Sequence, residues 1–241
     1  IALAERKPNE LLFLLIQHAG HETRQYSAHH AALCATVCAQ VAYTLKWSVD
    51  DRETLTLAAF TMNVGMTALQ DQLALQRERP SVAQQESIRL HPSEGRRLLE
   101  ELGVADPLWL DVVGLHHINT SAREPLEQQP PAERLARILA TCDRYAAMIS
   151  PRRNRAGRSV AESVQAVTGP QSKLYEQAGD ALIRSVGLFP PGVYVALSTG
   201  ETAVVLRRTP QVGQPLVAKL LDARKVALRQ PELLALDGQA L

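Results

Sequence analysis

The sequence predicts a mainly α-helical bundle closed by a small C-terminal β-hairpin. Three observations carry this. Long segments rich in Ala, Leu and Val, with polar residues at helical intervals, run from Ser27 to Ile149 between breaks marked by Gly and Pro. Helix-start signals such as Asp106-Pro107, a cap followed by Pro at the first helical position, punctuate them. After Pro190-Pro191-Gly192, β-branched runs flank a Gly-containing turn, the pattern of a hairpin.

The elements follow in order. Residues 1–22 are expected to be a helical segment or linker of a longer chain, since the sequence opens on Ile1. The apolar run Leu11–Ile16 is too short to span a bilayer and lacks a signal-peptide cleavage pattern. Ser27–Trp47 contains neither Pro nor Gly and reads as a long helix. Asp50-Asp51 are expected to cap a second helix over Glu53–Met62, which Gly65 ends. Ser81–Leu102 follows, with Pro92 expected to disturb or split it. A helix from Asp106-Pro107 should reach His117, Asn119–Pro131 should be a loop, and Ala132–Ile149 a helix. The basic stretch Arg152–Arg158 reads as a loop, with helices over Val160–Val167 and Ser172–Val186. Val193–Ser198 and Thr202–Arg208 form the hairpin, and Leu216–Leu221 fits a third strand or a helix equally. The division is a helical domain over 23–188 and a hairpin with tail over 189–241.

Composition narrows the function. The chain has 241 residues, 46% apolar and 21% charged, which excludes a disordered or membrane-embedded protein. Its 26 Lys+Arg against 25 Asp+Glu give a net charge of +1, so no nucleic-acid partner is expected. Cys34, Cys38 and Cys142 are odd in number and lack metal-site spacing, which reads as reduced thiols packed in the core of a cytoplasmic protein.

The histidines carry most of the chemistry. His29 and His30 lie on the first long helix, His91 precedes Pro92, and His116-His117 end another helix. Asp143 sits in an otherwise apolar helical stretch, where a carboxylate needs a partner. Imidazoles and a carboxylate gathered by helix packing are ligands for Zn, Mn or Fe. Equally open from the residues alone are a helix-end role for His116-His117 and a pairing of Asp143 with Arg144, Arg137 or His29 in a buried hydrogen-bond network.

The order Tyr26-Ser27-Ala28-His29, His91-Pro92-Ser93-Glu94-Gly95, His116-His117 and Asp143-Arg144-Tyr145 resembles the HD-GYP branch of the HD phosphohydrolase superfamily. The stretch Phe189-Pro190-Pro191-Gly192-Val193-Tyr194-Val195-Ala196-Leu197-Ser198-Thr199-Gly200-Glu201 is similar to that family's closing hairpin. The resemblance spans Arg24 to Asp222. It implies an HD-superfamily helical bundle, a metal-dependent phosphodiesterase ancestry acting on cyclic di-GMP, and two or three Fe or Mn ions as cofactors. It also implies a fused receiver or other sensory domain.

The chain departs from the family pattern at its centre. Met62 and Asn63 stand where the defining His-Asp pair should be, and Met66 where a phosphate-binding lysine should be. Gln25 takes the place of a Glu carried by three-metal members, and Ile118–Pro125 replaces the GYP loop. A neutral amide cannot bridge two divalent cations as a carboxylate does, and a thioether is a poor ligand for Mn or Fe(II). The expectation is therefore a catalytically degenerate regulatory or protein-interaction module with no cofactor or a single divalent metal (Fe, Mn or Zn). The resemblance assigns that metal to His29, His91, His116, His117 and Asp143. Arg152 and Arg155 match the family's basic residues that contact ligand phosphates, so cyclic di-GMP is an expected ligand. Other signalling proteins and a second copy of the chain are the expected partners. The alternative is a phosphodiesterase working on a reduced metal site of His91, His116 and His117.

Overall fold

The computed structural model describes residues 2–21, 25–118, 124–150, 162, 177–211 and 213–236. The helices are α1 (Ala2–Arg6), α2 (Pro8–His21), α3 (Tyr26–Thr44), α4 (Val49–Thr61), α5 (Thr67–Leu75), α6 (Val82–Glu101), α7 (Pro107–Leu115), α8 (Pro131–Ile149) and α9 (Gln177–Val186). Single 3-10 turns occupy Val64–Met66 and Leu126–Gln128. The strands are β1 (Tyr194–Ala196), β2 (Thr202–Arg207), β3 (Leu216–Leu221) and β4 (Ala227–Ala235). The chain is thus mainly helical with a small antiparallel sheet in the order β1-β2-β3-β4. No described helix is long and apolar enough to cross a membrane.

α3 forms the centre because its sequence is apolar on nearly every face, and such a helix is stable only when surrounded. Leu33, Cys34, Val37, Cys38 and Val41 are fully buried on it. α2, α4, α8 and α9 pack around it. All three cysteines are free and buried, as their spacing predicts.

The helix starts refine the sequence expectations. α4 begins at Val49, because the Ser48 hydroxyl accepts the Asp51 N–H at 3.1 Å. Ser48, not Asp50-Asp51, is therefore the cap. The two aspartates lie in the first turn, where their charge meets the positive end of the helix dipole. α6 opens on a capping box of Ser81 and Gln84. Asp106 caps α7 through the Leu108 and Trp109 N–H groups, as the Asp-Pro signal predicts. α5 has no counterpart in the sequence reading. Its Asp71 carboxylate accepts the Ser27 N–H at 2.7 Å and so ties down the first turn of α3.

α6 runs unbroken through Pro92, against the expectation of a split. An interior proline removes one backbone donor, so the carbonyl four residues earlier loses its helical partner. That carbonyl belongs to Ile88. The His91 ring satisfies it, with Nδ1 2.5 Å from the oxygen.

β1 and β2 pair around Thr199-Gly200-Glu201, with Tyr194 opposite Val204. Leu216–Leu221 is a strand, paired with both β2 and β4. β4 escaped the sequence reading because it carries Pro231 and no β-branched residue; as an edge strand it tolerates both. The buried face of the sheet joins the helical core through Val193, Val195, Ala203, Val205 and Val217. Gly192 allows the approach: a Cβ there would lie 2.8 Å from the Phe13 carbonyl oxygen in α2. The basic loop Arg152–Arg158, the helix Val160–Val167 except Glu162, and the start of Ser172–Val186 lie outside the described residues.

Candidate functional site

α6 and α7 bring His91, His116 and His117 together. One ligand-type atom from each lies within 4.8 Å of the others. His91 and His116 are buried and His117 is exposed. The ring centroids of His91 and His117 are 5.0 Å apart, and those of His116 and His117 are 4.3 Å apart.

Backbone carbonyls decide how these rings are protonated. His91 Nδ1 faces the Ile88 carbonyl left free by Pro92, at 2.5 Å. His116 Nδ1 faces the Val113 carbonyl in the last turn of α7, at 2.6 Å. A carbonyl only accepts, so both Nδ1 atoms must carry hydrogen. In the neutral rings both Nε2 atoms are then bare acceptors, and they face one another at 3.1 Å. Protonation does not relieve this readily. Burial pushes His116 down to about 3, helped by the charge of His117, while the nearby Asp143 carboxylate and the Val113 hydrogen bond oppose it. Burial also pulls His91 down. Two acceptors facing each other in a buried place call for a cation between them, and a ligating imidazole whose other nitrogen donates to a carbonyl is the usual metal arrangement. The three residues fit a divalent metal.

A second cluster joins α3 to α8. His30 Nε2 lies 2.7 Å from Asp143 Oδ1 and 3.4 Å from Cys34 Sγ. Tyr26 stacks on the His30 ring, with centroids 5.6 Å apart and planes within 10°. Burial by itself would raise the Asp143 carboxyl, but the His30 hydrogen bond and the neighbouring imidazoles outweigh it and hold Asp143 well below the usual carboxylate range. Asp143 also lines a cavity of about 280 Å³ together with His116, His117, Ile118, Ala140, Arg144 and Ala147. The two clusters therefore border one space.

The residues named from sequence are distributed unevenly over this geometry. His91, His116 and His117 meet, and Asp143 stands nearby. His29 does not join them: its ring packs against His18 of α2, 5.1 Å between centroids. His30, one residue on, takes the place facing Asp143. One residue turns a helix by about 100°, and the buried stripe of α3 runs through His30, Cys34, Val37, Cys38 and Val41. Neither Arg144 nor Arg137 is the partner seen for Asp143; Arg137 donates to the Glu124 carbonyl at 2.9 Å. Gln25 is exposed at the start of α3 in a left-handed conformation, φ 54°. Met62 is fully buried at the end of α4 and Asn63 is buried beside it. The turn that follows them packs on α6 next to His91. A Cβ on Gly65 would lie 2.9 Å from Gly95 N and 3.1 Å from the His91 carbonyl oxygen. Arg152 and Arg155 lie outside the described residues. The sequence reading missed Cys34 as a neighbour of His30 and Arg144 as a wall of the cavity; the i, i+4 spacing of His30 and Cys34 was the available signal.

No protein-family model matches the chain. Over 205 residues it is 28% identical to a cyclic di-GMP phosphodiesterase of Pseudomonas aeruginosa. The matched stretch is 84% of this chain and 49% of that protein, so the chain spans about half the length of the curated relative it matches.

Proposed function

We propose that this chain is a catalytically degenerate HD-GYP-like signalling module that acts by binding and does not hydrolyse cyclic di-GMP. The observation that carries the reading is the pair Met62-Asn63, buried in the turn against α6 where the family places its His-Asp ligands. Neither side chain supplies an anion, so the bridge between two metals is missing.

His91, His116 and His117 are the residues that would hold one divalent metal. Such an ion, when bound, polarises a phosphoryl oxygen and lowers the pKa of a bound water. The chain's own groups bind and orient. The exposed Arg144 on the cavity wall faces incoming phosphate, and Arg152 and Arg155 are assigned the same task by resemblance. The regulatory output is contact with other signalling proteins, a fused sensory domain or a second copy of the chain.

The test is a hydrolysis assay with cyclic di-GMP on protein reconstituted with Fe(II) or Mn(II), beside a calorimetric titration. Saturable binding without product, weakened by Arg152→Ala, is the expected result. Steady product formation that disappears in His116→Ala would overturn the reading. The intact three-histidine cluster beside an open cavity favours one second reading, a single-metal phosphohydrolase of another phosphoester. It predicts turnover of a generic aryl phosphodiester.

A further inference from the structure

We propose that the cavity between the end of α9 and the loop from β2 to β3 binds a small aromatic carboxylate through the Arg208 guanidinium, at a site separate from the histidine clusters. The cavity has a volume of about 170 Å³ and shares no lining residue with the one beside Asp143. Ile183, Leu188, Phe189, Pro210 and Pro215 give it apolar walls, and Arg208 stands among them.

Arg208 is the first residue after β2 and is half-buried. Burial pulls its pKa below the ordinary arginine value, the sign of a cation short of water. Such a cation normally takes a carboxylate partner. Among the described residues no Asp or Glu lies within ion-pair distance of Arg208. Its protein partner is neutral. Asn9 Oδ1 in α2 accepts the Arg208 backbone N–H at 3.3 Å and the Nε–H at 3.1 Å. The two Nη groups have no acceptor among the described residues, which leaves four coplanar N–H donors for a ligand.

The fork is held in place before any ligand arrives. The Arg208 stem lies on Gly187, where a Cβ would come within 3.3 Å of both Cγ and Cδ. Gly187 has φ 85° and ends α9 with its N–H on the Ile183 carbonyl at 2.8 Å. On the other wall, Thr209 Oγ1 donates to the Gln214 carbonyl at 2.7 Å, and the Gln214 N–H donates to the Gln211 carbonyl at 3.2 Å. A guanidinium fixed in this way loses little freedom on binding.

The ligand class follows from these groups. A planar fork of N–H donors matches the two oxygens of a carboxylate. One half-buried guanidinium neutralises one negative charge, and mainly apolar walls favour a hydrophobic body over the further charged oxygens of a phosphate. A volume of about 170 Å³ takes a single six-membered ring. Arg184, also on the wall but exposed, adds only a screened attraction. Occupancy would brace the sheet against the helices, because the site draws on α2 through Asn9, on α9 through Ile183 and on the sheet through Arg208.

The experiment is a titration of the full chain with para-fluorobenzoate, followed by fluorine NMR. Saturable broadening of the ligand resonance is expected. Para-fluorobenzyl alcohol, similar in shape but uncharged, should bind at least tenfold more weakly. The acid should lose at least tenfold in Arg208→Met, with unchanged far-ultraviolet circular dichroism, and no more than about threefold in Arg184→Met. No saturable binding, equal binding of the alcohol, or full binding in Arg208→Met would overturn the site. Displacement of the acid by an equal concentration of inorganic phosphate would overturn the carboxylate assignment. If Arg208→Met fails to fold, nuclear Overhauser contacts in the wild type decide. Contacts from the ring protons to the Ile183 and Leu188 methyl groups are expected, and contacts only elsewhere would refute the site. His116→Ala should bind the acid as the wild type does, so this result and that of the hydrolysis assay fail or stand separately.

Discussion

His91 Nε2 and His116 Nε2 face each other 3.1 Å apart, each ring held in that orientation by a carbonyl on its far side. Helix chemistry provides both carbonyls. Pro92 withdraws the backbone donor that Ile88 would otherwise receive, and the end of α7 leaves Val113 within reach of His116.

Pro92 is accordingly a positioning residue for His91. In Pro92→Ala a backbone N–H returns to the Ile88 carbonyl and competes with His91 Nδ1. Loss of such an outer hydrogen bond costs about 10–100-fold in metal affinity. We expect that weakening in a competition titration with a chelating dye, with helix content equal to or above wild type. Unchanged affinity would remove the carbonyl from the account.

Acid should destabilise the metal-free protein in two stages. His116 is held at about 3 by burial, against about 6.5 in the unfolded chain. Between those values the unfolded state binds a proton that the folded state refuses, so stability falls as pH falls from about 6.5 towards 3. The loss from this residue is roughly 5 kcal/mol at most. Asp143, held below the usual carboxylate range, adds a further loss once pH drops below about 4, where the unfolded carboxyl protonates. Urea unfolding across pH in the presence of a chelator measures both limbs, and His116→Gln should flatten the upper one.

Gly65 and Gly95 should respond oppositely to the same substitution. A Cβ on Gly65 meets backbone at 2.9 Å and 3.1 Å, so Gly65→Ala must push α6 away, at a cost of about 1–3 kcal/mol. It should also weaken metal binding, because α6 carries His91. A Cβ on Gly95 meets nothing closer than 3.5 Å, and alanine suits a helix interior better. Gly95→Ala is expected to be neutral or stabilising by thermal unfolding.

Much of this arrangement is legible in the residues. The Asp106-Pro107 cap, the apolar length of α3 and the turn at Thr199-Gly200-Glu201 are local signals, and the structure follows them. His91, His116 and His117 were found because their motifs are short and contiguous. His29 and His30 are adjacent, and choosing between them needs the rotational setting of α3, which packing against α2 and α8 determines. The continuity of α6 through Pro92 also depends on a side chain, since His91 fills the carbonyl that proline frees. β4 forms because β3 offers it a ladder, not because of its own composition. The hydrogen bond of His30 with Asp143 joins α3 to α8 across more than a hundred residues.

Metal content at the three-histidine cluster is the decisive quantity. Elemental analysis of protein purified without chelators or an added histidine tag, comparing wild type with His116→Ala, measures it. The variant is expected to lose one equivalent of divalent metal while keeping its fold. Equal metal in the two proteins, or none in either after reconstitution, would contradict it and leave the facing imidazoles of His91 and His116 without the cation their geometry requires.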